Sequence, residues 1–379
     1  MPSWPRDAGG RACEEADSRA IASEFKALGA PGACRELNAF DDDVWLFLAG
    51  EPIVAFGTVE QQGRLLRGLA AGDLGKGCLL YSEPGAGSDL AAVQTRADLD
   101  GDHYLVRGQK VWTSGAEEAD FGLLLARTDW DVPKHAGLSF FIFPMRQTGV
   151  EVRPIHQITG ASDFSEVFLD ARVPAADLIG GPGNGWKVIQ VALAAERRGM
   201  GELRLEARGD ERSADPGKPV PLFARSNDLI ELARSAGRLD DPLVREEIMK
   251  IHTWRLVNDW TAARSASDPS VGGAAAAASL GKLANSRILH RAAALRYELL
   301  GQRVLQYDEA ADPEAYRVDY DLMMSFINSI GGGSDQIQRN IIGERVLGLP
   351  KGPEPDRGVP FRDVLKAAPT RSFGEGKER

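Results

Sequence analysis

The chain has 379 residues, with 45 Lys and Arg against 55 Asp and Glu, a net charge of −10. No basic block offsets that charge, which argues against a nucleic-acid partner. Apolar content of 43% and charged content of 26% are ordinary for a globular protein, and the length suffices for two or three structural layers, each with its own core. No run of eighteen apolar residues predicts a membrane span. The opening Met1-Pro2-Ser3-Trp4-Pro5-Arg6-Asp7 has no apolar signal core, so a cytoplasmic location is expected. Three cysteines (Cys13, Cys34 and Cys78) lack metal spacing and read as thiols, and five scattered histidines suggest no metal.

In chain order, Ala20, Ile21, Phe25 and Leu28 suit an amphipathic helix over Glu14 to Leu28, stopped by Gly29-Ala30-Pro31-Gly32. A second helix is expected from Asp41 to Ala49, then a short turn after Pro52. Thr58-Val59-Glu60-Gln61 has capping-box spacing and opens a helix to about Leu69. From Gly77 the period changes to two. Strands are predicted at 77–80, 93–99, 104–107, 122–128, 139–144, 150–155 and 166–169, with a hairpin turn at Asp100-Gly101. Several close strands without intervening helices imply a barrel-like or sandwich β-domain. After the glycine-rich linker Gly180 to Gly185, helices are predicted at 186–206, 226–236, 241–266, 270–300, 319–328 and 334–347, and 210–221 reads as a loop. The expected fold class is α+β: residues 1–76 helical, 77–180 a β-domain, 181–379 a helical bundle with a tail.

Two small-residue motifs stand at strand ends. The first is Tyr81-Ser82-Glu83-Pro84-Gly85-Ala86-Gly87-Ser88-Asp89; the second is Gly108-Gln109-Lys110-Val111-Trp112-Thr113-Ser114-Gly115-Ala116. Glycine lets a backbone approach a flat or anionic ligand, and successive N–H groups beside hydroxyls make a polar rim. A third motif, Gly331-Gly332-Gly333-Ser334-Asp335-Gln336-Ile337-Gln338-Arg339, lies near the C-terminus. The three, in this order, resemble the signatures of the acyl-CoA dehydrogenase family, over about Pro2 to Leu365.

That resemblance implies a helical, β, helical architecture and FAD as cofactor. It implies oxidation of the Cα–Cβ bond of an acyl thioester, a carboxylate taking the α-proton while hydride passes to flavin. By resemblance, Leu79, Tyr81, Ser82, Gly87, Ser88, Trp112, Thr113 and Ser114 bind the cofactor from the β-domain, and Gly332, Gly333, Ser334 and Gln336 from the C-terminal turn. Much of the family carries its base two residues before the Ser/Thr of that turn, and here the position is Gly332, which takes no proton. Other branches carry it on the first long helix after the β-domain, beside an arginine. Glu196 matches that place and is the expected base, and Gly332 leaves room for it. Ser88 and Arg197 are expected substrate contacts.

Two departures bear on the expectation. The opening residues resemble a point well inside the family's first domain. The Arg-x-x-Phe-Gly segment that holds the cofactor pyrophosphate has no good match at Arg225-Ser226-Asn227-Asp228, leaving Lys282 or a neighbouring subunit to supply charge. The tail resembles a bacterial branch that includes enzymes of steroid side-chain thioesters and mixed two-subunit assemblies. Three readings stay open: an FAD-dependent acyl-CoA dehydrogenase passing electrons to an electron-transferring flavoprotein, as a homo-tetramer or mixed tetramer; a non-catalytic subunit completing the FAD sites of a paralogue; and a flavin monooxygenase on the same fold.

Overall fold

The computed structural model describes residues 3–14, 45–206, 228–267 and 274–367, with four isolated positions between 17 and 24. The expected helix over 14–28 (five positions apart), the stop at 29–32, Cys34, residues 41–44, 226–227 and 270–273 at the starts of three further expected helices, the loop at 210–221, Arg225 and the last twelve residues lie outside that set.

The first described helices are α1 (Trp45–Leu48), α2 (Gly50–Phe56), α3 (Val59–Gln61) and α4 (Arg67–Ala71), with one wider turn over Gln62–Leu66 between the last two. The capping box forms as its spacing predicts: Thr58 Oγ1 accepts from Gln61 N, and Gln61 Oε1 accepts from Thr58 N. Eight strands follow: β1 (Gly77–Leu80), β2 (Arg96–Asp100), β3 (His103–Ser114), β4 (Phe121–Arg127), β5 (Leu138–Pro144), β6 (Val150–Ile155), β7 (Phe164–Pro174) and β8 (Leu178–Ile179). They form one sheet in the order β6-β7-β3-β2-β4-β5-β8, with β1 paired in parallel to β4. All seven residues of β4 are buried, so this strand reads as an unbroken apolar run rather than an alternation.

Period two nevertheless divides its side chains between two cores. Phe121, Leu123 and Leu125 pack with Trp45, Leu48, Ile53, Leu65, Leu66, Val188 and Ile189, joining the sheet to helices. Leu124 and Ala126 face the other way, onto Tyr104, Val106, Phe141, Phe143, Val167 and Leu169. The second cluster draws on seven strands, so the sheet curls around it in the barrel-like manner expected.

The chain leaves the sheet on α5 (Gly185–Glu206) and continues through α6 (Asp228–Ser235), α7 (Pro242–Ser267), α8 (Ala274–Leu300), α9 (Pro313–Ser325), α10 (Ile327–Ile330), α11 (Asp335–Ile341) and α12 (Phe361–Ala367). A third core of Leu232, Val244, Ile248, Ile288, Leu295 and Val318 holds the bundle. Gly50–Phe56 is a helix where a short turn after Pro52 is expected, β2 begins at Arg96 rather than Val93, and β7 runs from Phe164 to Pro174 rather than over 166–169. Three further elements differ from the sequence reading. β3 runs to Ser114 instead of stopping near Arg107, because Gly108 pairs with Leu169 and Lys110 is buried within the sheet. α9 begins at Pro313 rather than Asp319, since Asp312 caps it through Ala315 N and Pro313 starts its first turn. The last expected helix is α11 with a wider turn, Ile342–Val346, at its end.

Candidate active site

The two strand-end motifs meet. Val111 N donates to Ser82 O at 3.0 Å, so the turn after β1 lies against the end of β3. Within the turn, Glu83 and Ala86 exchange two backbone hydrogen bonds, at 2.9 and 3.0 Å. Gly85 and Gly87 are exposed, and a Cβ at either would meet nothing within 4 Å. Leu79 and Ser82 are half-buried, Ser88 is exposed, and Tyr81 is buried with its ring 6.2 Å from that of Phe140.

At the other strand end, the β3–β7 register advances from Lys110↔Val167 to Thr113↔Ser165. One extra residue therefore sits on β3, a β-bulge. Within it Trp112 takes φ +63°, a left-handed conformation that a bulky side chain rarely adopts, and its indole is 61% exposed. Phe164 meets that indole edge-on at 6.3 Å. Thr113 is fully buried and its Oγ1 has no hydrogen-bond partner among the described residues. Ser114 is half-buried and pairs with Phe164. The result is an open surface of glycines, hydroxyls and one exposed indole.

Beneath it lies a buried charge network that sequence reasoning passed over. Lys110 Nζ donates to Tyr81 O at 3.0 Å, Glu83 Oε1 at 2.9 Å and Leu125 O at 2.8 Å. Glu83 also accepts from Gln94 N and Thr95 N, at 2.6 and 2.8 Å. Burial works to raise the Glu83 carboxyl, but Lys110 and these hydrogen bonds outweigh it and hold the group below the ordinary carboxylate range. Arg127, fully buried, donates to Val93 O, Ala91 O and Lys134 O and lies 3.6 Å from the Phe361 ring centroid. Desolvation pulls it down to about 10. Lys134 in turn ties Asp89, at the end of the first motif, to Asp356 of the tail. The available signal was a single charge at the end of an apolar strand, as at Arg127.

The C-terminal turn is held from the bundle. Gly332 and Gly333 have φ of +62° and +89°, which glycine alone adopts without strain. Ser334 caps α11, its Oγ accepting from Ile337 N at 3.3 Å. Gln336 is exposed, whereas Gln338 is buried and its Nε2 donates to Gly332 O and Gly333 O. Gln338 is thus the amide that shapes the turn. Lys282 is buried with Asp335 Oδ1 3.4 Å from its Nζ, so its charge is engaged at the α11 N-terminus. Glu196 and Arg197 lie on α5, but their side chains are outside the described set.

Comparison with known proteins places this arrangement. Residues 78–171 match the family model for the acyl-CoA dehydrogenase middle domain, and residues 223–347 that for the acyl-CoA dehydrogenase C-terminal domain. The acyl-CoA dehydrogenase IpdE1 of Mycobacterium tuberculosis is 37% identical over 92% of this chain and 84% of its own. The chain belongs to the acyl-CoA dehydrogenase family. Among solved structures, the ChsE4-ChsE5 complex from Mycobacterium tuberculosis matches this acyl-CoA dehydrogenase with TM-score 0.69 and 31% identity, over 93% of this chain and 86% of that one. A structure titled "Tcur3481-Tcur3483 steroid ACAD" matches with TM-score 0.72 and 26% identity, over 92% and 85%. Family members are FAD-dependent oxidoreductases. Among the described residues no helix is long and apolar enough to cross a membrane.

Proposed function

We propose that this acyl-CoA dehydrogenase binds FAD against the joined ends of β1 and β3 and desaturates an acyl-CoA thioester between Cα and Cβ. The observation that carries the reading is the bulge at Trp112. An indole forced outward at φ +63°, on the strand end that bonds to the glycine-rich turn, is a flat surface prepared for a flat ligand. The residues suit that group. Ser82 and Ser114 offer hydroxyls to a polar ring edge, the Thr113 hydroxyl lacks a partner among the described residues, and Leu79 in β1 leads into the turn that carries Tyr81, Gly87 and Ser88. Gly332, Gly333, Ser334 and Gln336 would complete the cradle from the bundle.

FAD, when bound, would accept the β-hydrogen with its electron pair. Glu196 would take the α-proton, the released C–H pair forming the new double bond, and Arg197 and Ser88 would contact substrate. Gly332, at the alternative place for the base, has no side chain to compete. A positioned base contributes about 10²–10⁴ in rate. Glu196→Gln should therefore keep bound flavin and its yellow spectrum while slowing anaerobic bleaching by an acyl-CoA by at least about 10². Normal bleaching in the variant overturns the base assignment.

The solved relative titled a steroid ACAD favours a bulky acyl group over a short straight chain, and a dye-reduction assay across acyl-CoA thioesters tests that. Electron-transferring flavoprotein would be the acceptor. A second reading has a specific observation behind it: one of the two solved relatives is titled as a complex of two proteins and the other carries two protein names. On that reading this chain is a non-catalytic subunit that completes the FAD sites of a paralogous dehydrogenase, and it is colourless until mixed with that partner.

A further inference from the structure

We propose that the buried Lys110–Glu83 pair is the positioning element of the cradle, fixing the β1-end turn and the β3 bulge in one geometry before any cofactor arrives. The inference rests on the FAD reading above for what is positioned, and on geometry alone for how.

An ammonium has three donors, and Lys110, on β3, uses two on the turn, at Tyr81 O and the Glu83 carboxylate, and the third on β4, at Leu125 O. Glu83 closes the set by accepting from Gln94 N and Thr95 N, in the segment that leads into β2. Four stretches distant in sequence are thereby fixed to one nitrogen and one carboxylate. An apolar pair of the same volume would pack as well, but it would not set register, because dispersion contacts have no direction. Directional bonds from a buried charge do, and losing one partner leaves the other charged and unsatisfied.

The place where register matters is one residue away. Lys110 is the last β3 residue in regular pairing with β7 before the extra residue enters. Val111 then donates its N–H to Ser82 O. Trp112 adopts φ +63°, which persists in a bulky residue only when its surroundings over-determine it. On one side of the bulge, the Lys110–Glu83 pair is what does so: it anchors the turn to which Val111 bonds and the strand from which Trp112 projects. Lys110 and Glu83 need not touch a ligand, and both act through Ser82 and Trp112.

The test uses the full chain without added flavin, then with it. Glu83→Gln, Lys110→Met and the double variant are compared for amide hydrogen exchange in peptides spanning 110–115 and, as control, 138–144 in β5. FAD affinity is measured by quenching of flavin fluorescence. The double variant, which leaves no lone buried charge, should fold, exchange about tenfold or more faster at 111–113 with 138–144 unchanged, and bind FAD about tenfold more weakly. Either single variant should be worse than the double. Wild-type exchange at 111–113 in the double variant overturns the inference. So does equal acceleration in both peptides, or a double variant that does not fold, since the pair would then be a general folding element. Failure of the wild-type chain to bind FAD while the exchange result holds overturns the FAD reading and leaves the brace standing.

Discussion

Trp112 separates a stability role from a binding role more cleanly than its neighbours do. A tryptophan in a core costs about 3–5 kcal/mol when truncated. Trp112 is instead 61% exposed and held at φ +63°, a conformation costing on the order of 1–3 kcal/mol that glycine would adopt freely. Trp112→Gly should therefore leave the melting temperature of the flavin-free protein unchanged or raised, while weakening FAD binding. A fall of many degrees in the flavin-free protein would make the indole a packing residue after all. The motif residues were legible in sequence because their signal is local: glycine, serine and tryptophan at short spacing after apolar runs. Glu83 and Lys110 were inside the quoted motifs, yet their pairing was not legible, since it spans 27 residues and exists only once β1 and β3 are neighbours. Gln338 was passed over for Gln336 because sequence alone does not say which of two amides on α11 faces the turn.

The elements show what local rules can and cannot place. The Thr58–Gln61 box was readable from spacing, but Gln61 Nε2 also donates to Ala176 O and Leu178 O, tying α3 to β8, and no pattern announces that. The apolar period starts α9 at Asp319, six residues late, because its true start is set by Asp312-Pro313, a cap followed by a first-turn proline, and not by periodicity. That cap is electrostatically set. Arg303 grips the Asp312 carboxylate through Nε and Nη2, both at 2.8 Å, and Ala315 N donates to it, which together hold Asp312 down at about 2. A carboxylate lowered on folding stabilises the fold above its unfolded value, near 3.8, and loses that contribution as pH falls toward 2. Asp312→Asn keeps a competent cap without the charge. Its unfolding midpoint should then be lower than wild type at pH 6, with the gap closing between about pH 4 and pH 2. Denaturant titrations at several pH values measure it, and a gap that stays constant would mean the ion pair contributes nothing to α9.

At the scale of the whole molecule, the helical, β, helical order follows from where the apolar period changes, and each of the three cores is built from the residues those periods expose. What the period does not account for is α7. Its inner face, Val244, Ile248 and Ile251, belongs to the bundle core, yet Met249, Val257 and Trp260 lie along its outside, 50–65% exposed, with Thr253 between them. An amphipathic helix needs one apolar stripe, and a second one fits a helix covered on both sides. Burying a large apolar side chain is worth about 1.5–3 kcal/mol, so three in a row favour association strongly. The expectation is a solution mass that is a multiple of 40.9 kDa by light scattering. Trp260→Glu should then give a smaller species with unchanged helical content, because a carboxylate at an apolar contact is left desolvated and unpaired. A wild-type chain that runs alone at 40.9 kDa, and gains mass and flavin only with a paralogous partner, would remove the homo-tetramer and leave the mixed assembly. A Trp260→Glu protein that keeps the wild-type mass would show that the outer stripe of α7 is not where the copies meet.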